Sequence, residues 1–250
     1  MLNGDPYADE ATRTCVLQNV RMPFILIGAH AWPLAVNCIV PDYLSGMQSV
    51  VEHLASSGRR RIGFVNGPPT TTSSEEKYRG LRLGLALRDL PFLQAVTVAG
   101  EFEAEAGYAA TRDLLDRWTD LDAIAYASDS NALGGRRALA EAGRRVPDDI
   151  AVTGFYNYDV SRFTDPPLTT VHQDWVLAGE LAARRLCMMM EDHDAQAWCV
   201  MIPTSLMVRD SSQVFGPRGQ AVLTASSRVD RHSFYSLRRE QNERQGTVTA

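Results

Sequence analysis

Three of the five histidines, His53, His172 and His193, with the four cysteines and the acidic run Glu191-Asp192-His193-Asp194, are the first groups to weigh as metal ligands or catalytic residues. Each histidine stands singly, in a helical stretch, after a strand or in a polar loop, with no second histidine or carboxylate at ligand spacing. The acidic run lacks the length and the glycine of a calcium loop. Cys15, Cys38, Cys187 and Cys199 are scattered without a C-x-x-C pair, which argues against a zinc or redox site and for a reducing compartment. Neither a G-x-S-x-G elbow nor a Gly-rich phosphate loop occurs. The expectation is no catalytic residue, no metal and no cofactor: not an enzyme.

The chemistry that the spacing does support is reversible binding. Between Asp122 and Phe155 come a buried strand, a polar turn with Ser128 and Asp129, a helix stopped by Gly143, a Pro-led connection and a second strand. Such a βαβ unit leaves the turn side chains at the carboxyl end of a parallel strand, where open α/β sheets take ligands. Asp129 also reads as the N-cap of the helix through Arg137, and that reading comes first. Lys77 is the only lysine in the chain. On spacing alone, beside Glu75 and Glu76, it reads as a solvated helix residue.

The elements that must carry these groups alternate. Phe24–Ala29 is a short apolar strand, and from Asp42 to Gly58 Met47, Val50, Val51 and Leu54 recur at helical spacing. Arg61–Gly67 is a strand, and Glu75–Asp89 a helix with Tyr78, Leu81, Leu85 and Ala86 inward. Val96–Gly100 is a strand, and Ala106–Arg117 a helix burying Leu114 and Leu115. After the βαβ unit come a Pro-Pro-led strand to Val171, a helix from Trp175 to Met190, and a strand with a Pro-marked bend over 200–209. Alternation at this spacing implies a mostly parallel sheet with helices on both faces.

The chain has 250 residues, 45% of them hydrophobic, and a formal net charge of −5. It is long enough to bury a core in one or two lobes, offers no overall electrostatic footprint for nucleic acid, and contains no apolar run able to cross a bilayer. The absence of a secretory start points to a cytoplasmic protein. From 213 to 250 apolar periodicity vanishes and Gly, Ser, Arg and Gln dominate, so a disordered tail is expected there.

Five ordered blocks carry a resemblance over 19–212. They are Val51-Glu-His-Leu54 with Gly58-Arg-Arg-Arg-Ile-Gly63; Gly67-Pro68 with Gly80-Leu81; the Ser128-Asp129 turn with Val146-Pro-Asp-Asp149 and Gly154-Phe155; Pro166-Pro-Leu-Thr-Thr-Val-His-Gln173; and Ile202-Pro-Thr-Ser-Leu-Met-Val-Arg-Asp-Ser-Ser212. In these the chain resembles the effector-binding part of lactose-repressor (LacI/GalR) type transcription regulators. The resemblance implies an α/β, periplasmic-binding-protein-like two-lobed fold with parallel sheets. Residues 1–59 and 171–192 would form an incomplete N-terminal lobe, and 60–170 and 193–212 the C-terminal lobe. Crossings would fall near Arg60, Thr169–Gln173 and Ser205–Val208.

The same resemblance implies a small, sugar-like effector in the cleft, a homodimer, and contact with operator DNA only through a headpiece that this chain does not carry. It places ligand contacts at Thr71, Ser73, Lys77, Phe102, Ser128, Asp129 and Tyr156. Each has a plainer alternative: core packing for Phe102, capping for Asp129. Two departures stand out. Lys77 takes the place of a usual arginine, a point charge instead of a planar fork. Tyr156 follows Gly154-Phe155 where the family carries an aspartate, so a strong acceptor for paired hydroxyls is missing. Either the effector differs from an ordinary hexose, with Tyr156 able to stack on its ring and Asn157 able to supply amide contacts, or effector binding has decayed. The rival readings are a solute-binding protein for sugar uptake and a non-sensing gene remnant.

Overall fold

The computed structural model describes residues 19–30, 35–92, 96–98, 102–191 and 196–213. The strands in chain order are β1 (Leu26–Ile27), β2 (Cys38–Pro41), β3 (Ile62–Asn66), β4 (Val96–Val98), β5 (Ala123–Tyr126), β6 (Ala151–Tyr156), β7 (Thr169–Gln173), β8 (Cys199–Ile202) and β9 (Thr204–Met207). The helices are α1 (Tyr43–Ser56), α2 (Thr72–Leu87), α3 (Ala104–Arg117), α4 (Asp129–Glu141) and α5 (Trp175–Glu191). The tail expected over 213–250 lies, apart from Gln213, outside the described residues.

The larger sheet has the order β4-β3-β5-β6-β7-β9 and is parallel except for β9, which runs antiparallel to β7. Its inner strands read as continuous apolar runs because helices cover both faces. α1 and α2 close one face over Phe64, Ala125, Phe155 and Val171. On the other face Ala110, Leu114 and Leu139 of α3 and α4 pack over Val65, Ile124, Tyr126 and Val152. These last two helices approach so closely that a Cβ on Gly134 would lie 1.6 Å from the Ala104 carbonyl oxygen, so glycine is required there. The smaller sheet, β1-β2-β8, is parallel, and α5 covers it through Ala178 and Ala182 against Ile25, Ile39 and Ile202.

Most elements follow the sequence pattern. Asp42 accepts from Ser45 N at 2.9 Å and caps α1, whose stripe of Met47, Val50, Val51 and Leu54 is fully buried. Ala86 is a correction: it is exposed, and Leu81 and Leu85 alone carry the inward face of the last turns of α2. β1 is only two residues long, and the sequence reading passed over β2, because a four-residue strand ending in Pro41 merges into the signal for the helix after it.

The apolar stripe of α1 belongs to one cluster with Ile62, Phe64, Leu81 and Leu85 and also with Leu26, Cys38 and Val40 of β1 and β2, so α1 packs against both sheets. β8, expected with the larger body, pairs with β2 instead. The chain therefore passes between the two sheets at Asp42, at Asp174 and at Pro203.

The cysteines require a second correction. Cys38 and Cys199, 161 residues apart in sequence, are register partners on β2 and β8 and form a disulfide. Reading them as unrelated residues of a reducing compartment missed this, because adjacency came from strand order and not from spacing.

His53 behaves as the structural group expected. Its Nε2 lies 2.7 Å from Ser212 Oγ, which in turn lies 2.6 Å from Thr169 Oγ1, tying the end of α1 to β7 and to the turn Asp210–Ser212. Burial lowers its pKa from 6.5. A histidine whose folded pKa is depressed stabilises fully above its unfolded value, and that share is lost as pH falls through the folded one. The urea midpoint should thus decline between pH 7.5 and 5.5, and His53→Gln should flatten that decline. An unchanged slope in the variant would remove His53 from the account.

Candidate functional site

In the larger sheet β4 lies on one side of β3 and β5 on the other, so the connections leave the carboxyl ends of β3 and β5 in opposite directions. A crevice opens at such a switch point. α2 follows β3, and the turn Ala127-Ser128 follows β5. Of the residues singled out in the sequence, Lys77, Phe102 and Tyr156 come into contact here.

Lys77, in the second turn of α2, is fully buried. Its Nζ donates to the Ala127 carbonyl at 2.8 Å and to the Tyr156 hydroxyl at 2.9 Å. Four rings enclose the ammonium, with centroids at 4.2 Å for Tyr156, 4.4 Å for Phe155, 5.3 Å for Tyr43 and 5.4 Å for Phe102. Desolvation holds its pKa well below the ordinary lysine value, and the nearby Asp129 carboxylate opposes that shift. The solvated-helix alternative is thereby excluded.

Thr71 is the N-cap of α2, accepting from Ser74 N at 3.2 Å, and its hydroxyl lies 3.4 Å from Ser73 Oγ. Ser73 is buried. Phe102 packs over Gly67 just past β3 and meets Tyr156 edge-on, with ring centroids 6.2 Å apart.

Ser128, not Asp129, caps α4: its Oγ accepts from Asn131 N at 3.0 Å. Asp129 is the first helical residue and points into the protein. It accepts from Tyr158 N at 2.7 Å, Ser161 Oγ at 2.7 Å and Thr170 Oγ1 at 2.5 Å. Burial raises its pKa, and those three bonds together with Arg209 oppose the shift. Gly154 makes room, since a Cβ there would sit 2.2 Å from an Asp129 oxygen. Asp129 is thus a structural tie between β5, β6 and β7.

Tyr156 ends β6 with φ of 102°, a left-handed conformation rare for a bulky residue, and Asn157 follows at 52°. Ring stacking on Tyr156 comes from within the chain: Tyr158 stacks on it at 5.5 Å and 15°, while Phe155 and Phe102 meet it edge-on. The sequence list missed Tyr158, Arg209 and Gln173. Tyr158 was legible as the residue two beyond Tyr156. Arg209 donates to Asn157 Oδ1 and to the Leu168 carbonyl, each at 2.6 Å, contacts that no local pattern signals. Gln173, 1% exposed at the end of β7, has neither amide atom hydrogen-bonded.

The profile of the periplasmic binding protein-like domain family matches residues 51–212. The chain belongs to that family, in its lactose-repressor (LacI) branch. It is similar to the HTH-type transcriptional regulator CelR of Thermobifida fusca, 34% identical over 68% of this chain and 50% of that protein. Among solved structures, a transcriptional regulator CelR–cellobiose complex superposes with a TM-score of 0.72 at 32% identity, covering 76% of this chain and 58% of that one. The lac repressor dimer bound to operator and the anti-inducer ONPF superposes with a TM-score of 0.72 at 26% identity, over 82% of this chain and 71% of that one. The LacI-type chain spans about half the length of the curated relatives it matches. Its fold is that of LacI effector domains.

Proposed function

We propose that this LacI-type chain is the effector-sensing and dimerising part of a transcription regulator. In this reading a small carbohydrate-like molecule enters the crevice at the carboxyl ends of β3, β5 and β6. The observation that carries the reading is the convergence of Lys77, Phe102 and Tyr156, from three separate segments, at the switch point of a parallel sheet. A small-molecule site needs a few fixed polar groups beside aromatic surface, and both are present. The orphaned amide of Gln173 supports the reading, since buried polar groups are rarely left without partners unless a ligand or water supplies them. The cellobiose bound to the CelR relative supports the carbohydrate class.

In this reading the chain crosses between lobes where it passes between the two sheets, at Asp42, Asp174 and Pro203, and effector binding acts by shifting the relation of the lobes. Two-fold assembly and operator contact through a DNA-reading headpiece are part of the same proposal and concern the whole protein.

Ligand binding stabilises by mass action, about 2.7 kcal/mol at a hundredfold excess over Kd. Thermal unfolding with mono- and disaccharides should therefore show at least one sugar that raises the midpoint, and Lys77→Met should abolish that rise. A panel without any shift in the wild-type protein would sink the reading.

A further inference from the structure

Lys77 and Ser73 are the polar side chains that the site turns toward its centre, and both already have a partner. The Tyr156 hydroxyl accepts from Lys77 Nζ at 2.9 Å, and Ser73 Oγ lies 3.4 Å from Thr71 Oγ1. The ring is enclosed by Phe102 and Phe155 edge-on and by Tyr158 face-on. Nothing about β6 favours a large side chain here. At φ of 102° the backbone suits glycine, and a bulky residue persists there only because its surroundings over-determine it. The Asp129 carboxylate, just past β5, accepts from Thr170, Ser161 and the Tyr158 amide, so it is already committed to those donors. A phenol thus fills the hydrogen-bonding role that a ligand hydroxyl has at such a centre.

We propose that Tyr156 is a built-in occupant of the inner end of the crevice: its phenol takes the hydrogen bond of Lys77 and sets the inner limit for any effector. This rests on the crevice being the effector site. It deepens that reading by naming the residue that decides which molecules fit. Ligands that need the inner end are refused. Accepted ones lie outside the ring, toward Tyr158, whose 45% exposure leaves aromatic surface for a sugar face.

The test removes the occupant and returns it as a free molecule. In the full chain Tyr156→Gly relieves the backbone and leaves a cavity of tyrosine side-chain shape, and p-cresol is that side chain as a separate compound. An apolar cavity lined by fixed groups takes up a matching small molecule. Titration calorimetry and thermal unfolding should show p-cresol binding to Tyr156→Gly and raising its midpoint, with no binding to the wild type or to Tyr156→Phe, whose ring still fills the space. Uptake of p-cresol by the wild type equal to that by the variant would overturn the proposal, as would a folded Tyr156→Gly that takes up none.

A second measurement does not need the variant to fold. Because Lys77 is the only lysine, reductive methylation reports on it once the peptide carrying Lys77 is read apart from the one carrying the N-terminal amine, which also reacts. In the wild type and in Tyr156→Phe its amine should react at least tenfold more slowly than in the urea-unfolded chain, and equal rates in folded and unfolded wild type would overturn the enclosure. If p-cresol rescues the glycine variant while no sugar binds the wild type, the occupant stands and the effector reading falls. The two failures are therefore distinguishable.

Discussion

Asp129→Ala is expected to lower the unfolding free energy by about 3–5 kcal/mol, because it strands three donors that converge on one buried carboxylate. The Tyr158 amide and the hydroxyls of Ser161 and Thr170 come from two segments, and Asp129 holds both against the start of α4. The Tyr158 amide has the least freedom to find another acceptor, since its backbone is fixed by the turn Asp159–Arg162. Asp129→Asn keeps one acceptor oxygen, and the Thr170 hydroxyl can rotate to accept from the new amide, so it should lose less than half as much. Urea unfolding of the three proteins measures this. Alanine and asparagine variants of equal stability would show that the carboxylate's bonds are not what holds β5, β6 and β7 together. Alanine at 129 also removes the charge that opposes desolvation of Lys77, so the lysine pKa should fall further.

The second large effect concerns Cys38 and Cys199. In the chain-entropy account, opening a cross-link that spans 161 residues removes up to about 5 kcal/mol, with measured values more often about 2–4 kcal/mol. Addition of dithiothreitol, or the double change Cys38→Ser and Cys199→Ser, should lower the urea midpoint accordingly, and mass spectrometry under non-reducing conditions should find the linked peptide pair. Cys187, exposed and unbonded, should be alkylated in the native state. Equal midpoints with and without reductant would show that the bond does not contribute. The bond joins β2 to β8, the strands that end at the crossings Asp42 and Pro203, so its loss should loosen the smaller sheet first.

The helices were legible for a physical reason. Burial writes itself into a 3.6-residue period, as in Met47, Val50, Val51 and Leu54, and helix ends carry chemical marks such as Asp42, Thr71 and Gly143. The continuous apolar runs of β3, β5 and β6 likewise announced strands covered on both faces. Short elements were less legible: β1 and β2 have two and four residues, too few to show a period. At the candidate site, residue types pointed to Lys77, Phe102 and Tyr156, which the fold does bring together, but not to their contacts. Ser128 and Asp129 were read in the wrong order as cap, because either side chain suits an N-cap and only the direction of each Cβ decides.

The sequence by itself determined which segments become strands or helices, the parallel α/β class and the family wording, since each of these is set by contacts within about one turn or one strand. Tertiary structure decided everything that depends on which strands are neighbours. Lys77 meets Tyr156 across 79 positions, Asp129 finds donors at 158, 161 and 170, and Cys38 meets Cys199. Each of these pairings follows from the order β4-β3-β5-β6-β7-β9 or β1-β2-β8. Strand order is fixed by how apolar faces are shared over the whole chain, and no local window of residues contains that information.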